Sequence, residues 1–416
     1  MYDPYSDFQK SLLPNGLEIS SLYWDRPWIV IELIIHAGGR EDPIEKPGLA
    51  HFVEHMVSEN IPDWDFKAVE KFFEDCGGWA EFGSTNYLAT RYRFGLPTDR
   101  HSFCQALSIF GSMLLEADLN KNIERERKVI NQEFLGSYPF KERLIWETEM
   151  NQNLFSGHRL ETWNRPLGRP EGFLATTEVD LKNFYNQYYV PANMSLVAVG
   201  GLKQAELLAE IEKSPFGLFK AGLRNIWHKP FDSLTDPKVR ERNIKYSDYA
   251  SFKVEQSEYK ASWALPAKFS FQVYRVYNKI LGQMLNEEIR QKRGLAYHLG
   301  VNQVNFQDVV MFTINCQFQP EAKPLINKIV RQCIGRVPTR RDIFEPTIKS
   351  LIKQCLMIDL SGQGLANSAA RDLAARQQIM TTQEIYFDLS QVSPKNIRDL
   401  TMLLNSNRQF TFIAEP

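Results

Sequence analysis

The run His51-Phe52-Val53-Glu54-His55 brings two imidazoles and a carboxylate within about one turn of a helix. Residues four apart share a helix face, so both histidines can address a single point while Glu54 stands beside them. Such a set suits one zinc ion, which favours neutral imidazole nitrogen and carboxylate oxygen. A catalytic site uses three protein ligands and keeps one position open. Histidine accounts for only 7 of 416 residues, so a chance His-x-x-Glu-His should arise in on the order of one such chain in a hundred. The motif therefore needs a third ligand from elsewhere in the chain.

The best supplier is the stretch Glu124-Arg125-Glu126-Arg127-Lys128-Val129-Ile130-Asn131-Gln132-Glu133. Read as a helix, it sets Glu126 and Glu133, seven apart, on one face with Val129 and Ile130. Apolar neighbours pull that stripe inward, where a carboxylate needs a cation. Glu133 as ligand and Glu126 as its support satisfy that need.

The elements that must position these groups follow from periodicity. Leu17 to Leu22 and Ile29 to His36 read as strands, the second being rich in β-branched residues. Pro47-Gly48 precedes a helical pattern with Leu49, Phe52, Val53 and Met56 on one face, so the motif sits on a helix. A second helix over 67–75 ends at Cys76-Gly77-Gly78, residues 82–96 read as strand, and 101–117 and 121–135 read as two helices. Met194 to Val199 is a short apolar run that suits a buried strand. The second half repeats the theme, with strand text, a helix over about 270–293, strands over 301–318, further helices and a closing apolar run at Gln409 to Ile413.

This predicts an α+β protein of two similar domains, each a mostly antiparallel sheet with helices packed on one face. The expected boundaries are 1–216 for the metal-binding domain, 217–237 for a Pro-, Lys- and Asp-rich linker, and 238–416 for the second domain.

Bulk properties exclude several classes. Lys plus Arg number 49 against 50 for Asp plus Glu, which gives no electrostatic reason to expect nucleic acid or an anionic membrane as partner. The five cysteines are scattered and never form Cys-x-x-Cys, so a disulfide scaffold or cysteine metal site is not expected. No apolar stretch is long enough to span a bilayer, and Met1 to Asp7 has no basic region followed by an apolar run. A cytoplasmic protein is the expectation.

The chain resembles the M16 family of zinc peptidases, the inverzincins that include pitrilysin, insulin-degrading enzyme and the mitochondrial processing peptidases. The resemblance is carried by His51-x-x-Glu54-His55, by Glu126-Arg127 and Glu133 at the family's spacing, with Val129 one place early, and by Gly48-Leu49-Ala50 and Tyr189-Val190-Pro191-Ala192-Asn193-Met194. It extends to Arg290 and Tyr297, seven apart and ending in Gly294-Leu295-Ala296-Tyr297, which match the family's substrate-binding pair. The family implies a zinc-dependent endopeptidase acting on extended peptides or unfolded segments. His51, His55 and Glu133 would hold one zinc, Glu126 would support them, and Glu54 would be general base on a zinc-bound water. Arg290 and Tyr297 would bind substrate across a dimer, a homodimer here unless a related chain takes the second place. The family also contains non-catalytic scaffold and peptide-binding subunits of heteromeric complexes, and these are the alternative. One stretch departs from the pattern. Members follow a double glycine with Asn-Ala-x-Thr on an edge strand, whereas Gly77-Gly78 here leads into Trp79-Ala80-Glu81-Phe82-Gly83-Ser84-Thr85.

Overall fold

The computed structural model describes residues 3–137, 141–161, 167–224, 241–245, 256–306, 308–355, 361–406 and 409–416. Alternating apolar runs become two sheets. The first contains β1 (Gln9–Leu12), β2 (Glu18–Tyr23), β3 (Trp28–Ile35), β4 (Trp79–Thr85), β5 (Thr90–Pro97) and β6 (Met194–Gly200), in the order β1-β2-β6-β3-β5-β4. The second contains β7 (Glu241–Lys245), β8 (Ser257–Pro266), β9 (Ala296–Asn305), β10 (Val309–Phe318) and β11 (Gln409–Glu415), in the order β7-β11-β8-β10-β9. Leaving β1 aside, the two orders are the same. Each sheet holds one parallel pair, β2 with β6 and β7 with β11, and is otherwise antiparallel. The α+β class with two similar sheets stands, and the shared strand order is the internal duplication that the residues no longer spell out.

The helices that frame the site are α1 (Leu49–Glu59), α2 (Phe66–Asp75), α3 (Arg100–Leu115) and α4 (Ile123–Ser137). Residues 82–96 are a hairpin rather than one strand. Asn86 accepts the backbone N–H of Leu88 and of Ala89 and so closes the turn between β4 and β5.

Pleating sends alternate residues of β3 to opposite faces. Ile31 pairs with Phe94, and Phe94 packs on Phe73 of α2 and Phe110 of α3. The opposite face presents Val30 and Ile34, which join Val197 and Val199 under Leu365, Ala366, Ala369, Ala370 and Leu373. Those last residues belong to the helix Gly362–Arg376, from far down the chain. Its alanines let the helix axis approach the sheet closely. The sheet is thus covered on both sides, and the second cover was not legible in the sequence.

The chain divides into two compact units: Met1–Ser137 with Trp163–His228 and Ile358–Thr381, and Tyr138–Thr162 with Lys229–Met357 and Thr382–Pro416. A single boundary at 217–237 was expected, and residues 225–237 of it lie outside the described residues. The observed division has further crossings. The helix Gly362–Arg376 joins the first unit, while α5 (Lys141–Leu154) packs on β8 and β11 of the second. Each half of the sequence supplies one helix to the other half's sheet, because each sheet has two apolar faces to bury.

Candidate metal centre

Helix α1 has few solvated positions. Phe52, Val53, Met56 and Val57 are fully buried, and His51 and Glu54 are 6% and 8% exposed. Its start is shaped by Gly48, which adopts φ +97° and where a Cβ would lie 2.9 Å from the Leu167 carbonyl. No side chain caps the helix from the adjacent position. Asp42 does so from a distance, its carboxylate accepting the N–H of Gly48 at 2.6 Å and of Ala50 at 2.7 Å. The residue after Ala50 is His51.

Helix α4 crosses beside α1. Glu126 and Ile130 are buried at 1% and 0% exposure, whereas Val129 is 42% exposed and the Glu133 side chain 46% exposed. Ile130 and Phe134 draw this face of α4 inward, and Val129 lies at its rim instead of beneath it. Arg127 holds the crossing. Its guanidinium lies 5.3 Å over the Phe52 ring and donates to the carbonyls of Phe173 and Thr176.

This packing brings His51, His55 and Glu133 together, with one ligand atom from each lying within 4.8 Å of the others. Glu133 Oε2 is 3.5 Å from His51 Nε2 and 3.4 Å from His55 Nε2. Ligands about 2.0–2.2 Å from one tetrahedral ion stand roughly 3.3 Å apart, so these separations leave room for a cation between them. The donor chemistry fits as well. His55 Nδ1 faces Glu126 Oε2 at 3.3 Å, so in the neutral ring Nδ1 carries the proton and Nε2 turns a lone pair toward the Glu133 oxygen. Two imidazole nitrogens and a carboxylate oxygen converging in this way call for positive charge.

The electrostatics of the three groups on α1 differ. Burial holds the His51 imidazole down to about 4, with the neighbouring His55 charge adding to it. Burial also works against a charged His55, but the hydrogen bonds to Glu126 and Glu133 outweigh it and push the group up to about 9. Glu54, beside them, is raised to about 7 by burial, with the Thr85 hydroxyl pulling the other way. A carboxylate near neutrality can both take and return a proton.

Sequence reasoning missed Asp42, Arg127, Gly83 and Thr85. Phe82, in the stretch that departs from the family pattern, packs on Phe66, Phe73 and Phe110. Arg290 and Tyr297 lie in the second unit. Arg290 lies near the end of a π-helical turn, Asn286–Gln291, and stacks 5.2 Å over the Tyr297 ring. The neighbouring Lys292 and Arg293 pair with Glu287 and Glu288, while Arg290 makes no ion pair among the described residues. Tyr297 is 81% exposed at the start of β9.

Two similar mixed sheets and a His-x-x-Glu-His helix facing a glutamate helix define a class that the comparisons identify. The Insulinase (Peptidase family M16) family model matches residues 27–162, and the Peptidase M16 inactive domain model matches residues 176–337. The chain belongs to the M16 peptidase family. The probable zinc protease PqqL of Escherichia coli (strain K12) is 29% identical over 252 residues, covering 55% of this chain and 26% of that protein. A crystal structure of a protease from Helicobacter pylori superposes with TM-score 0.82 at 18% identity, covering 100% of both chains. A peptidase M16 inactive domain from Pseudomonas fluorescens superposes with TM-score 0.83 at 16% identity over 98% of each. The chain spans less than half the length of the first curated relatives it matches. Among the described residues no helix is long and apolar enough to cross a membrane.

Proposed function

We propose that the chain is a zinc-dependent endopeptidase for extended peptides or unfolded segments. The observation that carries the reading is the convergence of His51, His55 and Glu133 on one point, with Glu54 buried beside them. These three residues would hold the zinc and Glu126 would orient His55. When bound, zinc supplies Lewis acidity toward a water and the scissile carbonyl. Glu54 takes the proton of the attacking water and passes it to the leaving amine. The peptide adds to the open edge of β4, which lies at the end of its sheet, through main-chain pairing that folded proteins cannot offer.

The Arg290 and Tyr297 pair binds the substrate carbonyl and the developing oxyanion. The Arg290 charge, free of ion pairs among the described residues, supports this role. In this reading the pair serves the site of a second copy, so light scattering should give twice the chain mass of 48.2 kDa. A monomer that cleaves peptide would contradict the arrangement. The cytoplasmic setting belongs to the same proposal and is supported by the odd number and scattered spacing of the five cysteines in the sequence. Recovery of the protein in an exported fraction would refute it.

The second reading, a scaffold or peptide-binding subunit, is favoured by the match of residues 176–337 to an inactive-domain model. That region contains none of His51, Glu54, His55 or Glu133. Metal analysis with a cleavage assay separates the two. The peptidase reading expects about one zinc per chain and cleavage of a mixed peptide pool that a chelator abolishes and zinc restores. Freshly purified protein without zinc, or cleavage indifferent to chelator, would leave the scaffold reading.

A further inference from the structure

The Glu54 carboxylate is held by contacts that a three-ligand site does not require, and they come from the β4–β5 hairpin. The Thr85 hydroxyl donates to Glu54 Oε2 at 2.6 Å. Thr90 Oγ1 lies 3.3 Å behind the Thr85 hydroxyl and donates to the Ala37 carbonyl at 3.0 Å. The buried Tyr92 and Tyr189 hydroxyls pair at 2.9 Å. Thr85, Thr90, Tyr92 and Tyr189 are all buried, so water does not compete for these bonds. On the other flank a Cβ at Gly83 would stand 2.3 Å from Glu54 Oε1. The carboxylate fills the space that a side chain would take. The register between β4 and β5 shifts between Glu81 and Ser84, and this irregularity sets Gly83 and Thr85 together against one acid.

We propose that Thr85 is a positioning residue for Glu54, its hydroxyl and the bare backbone of Gly83 together fixing one orientation of the carboxylate. The strand that would receive the peptide then also aims the base, so substrate alignment and base alignment share one element. A glutamate has three rotatable side-chain bonds, and a base misplaced by about 1 Å costs on the order of a hundredfold in rate. A merely structural hydroxyl would affect folding without affecting the direction of Glu54. The proposal rests on reading Glu54 as the general base.

The test compares T85V, which keeps the shape and removes the hydroxyl, with T85S, which restores it. Turnover is followed on a quenched fluorogenic peptide taken from the cut sites found in a casein peptide pool. Zinc affinity, melting temperature and the crystal structure of each variant are measured alongside. The expected result for T85V is kcat lower by about 10- to 100-fold, with KM, zinc affinity and melting temperature close to wild type and the Glu54 carboxylate out of the Gly83 slot. T85S should regain most of the rate. Wild-type kcat in T85V, loss of zinc in step with rate, or T85S as slow as T85V would each overturn the proposal. If T85V does not fold, T85C takes its place: it puts a far weaker donor where the hydroxyl stood, so a wild-type rate there is equally fatal. Failure of the peptidase reading looks different: wild type would cleave nothing in the pool, whereas an unmoved Glu54 in the T85V structure refutes the positioning alone.

Discussion

A carboxylate 1% exposed must find positive charge or several donors. Glu126 finds His55 Nδ1 at 3.3 Å and Arg125 Nε at 3.3 Å. In the peptidase reading its work would be to fix the His55 tautomer, so Glu126→Ala should weaken zinc binding by about 10- to 100-fold, measured by competition with a chromophoric chelator. Unchanged affinity would mean that His55 orients itself. His36 gives a second test at this scale. It is 2% exposed, its Nε2 lies 2.8 Å from Ser195 Oγ, and burial, with Arg224 second, holds it down to about 4. The unfolded chain protonates it near 6.5. Its contribution is therefore complete above pH 6.5 and is lost as pH falls toward 4, on the order of 3 kcal/mol in all. Denaturation midpoints of wild type and His36→Gln across that window should converge as the pH drops, and a constant gap would contradict the assignment. That His51 and His55 share a helix face was legible because helical spacing is written directly in the residues, whereas Glu133, on another helix, was reached through the family resemblance. Asp42, Gly83 and Thr85 were not legible, because each meets α1 only after the chain has folded back on it.

At the scale of elements, the sequence announced the strands and the motif helix through their periods, and the structure keeps them within a few residues. The hairpin at 86–89 was missed although Asn86 is a turn residue whose side chain closes it. The helix read over 270–293 is α-helical only over Phe271–Leu285 and continues as the π-helical turn that carries Arg290. Periodicity cannot report such a change in winding. The exchanged helices were invisible for a different reason, since nothing local says which sheet an alanine-rich helix will cover. Their consequence is testable. A fragment of residues 1–228 lacks Gly362–Arg376 and leaves Val30, Ile34, Val197 and Val199 open. At about 1.5–3 kcal/mol for each buried aliphatic side chain, that loss rivals the whole stability of a domain, about 5–15 kcal/mol. The fragment should melt broadly and bind a hydrophobic dye, with the peptide 362–376 restoring cooperativity. A sharp transition at the full-length Tm would show that the helix is dispensable.

For the whole molecule, the duplicated strand order gives two units of one design, of which the first holds His51, His55 and Glu133 and the second the Arg290 and Tyr297 pair. If that pair serves a partner copy, mixing Glu54→Gln chains with Tyr297→Phe chains rebuilds one intact site per mixed dimer. Activity should return to about a quarter of wild type after random re-pairing of a twofold dimer. No recovery would mean that each chain completes its own site. The central claim is narrower: three side chains hold the metal and a fourth, Glu54, moves the proton. It is tested most directly by measuring zinc content and peptide cleavage on one preparation of Glu54→Gln beside wild type. The prediction is equal zinc and equal melting behaviour, with turnover lower by at least about a thousandfold. Cleavage within tenfold of wild type by zinc-loaded Glu54→Gln would contradict the account.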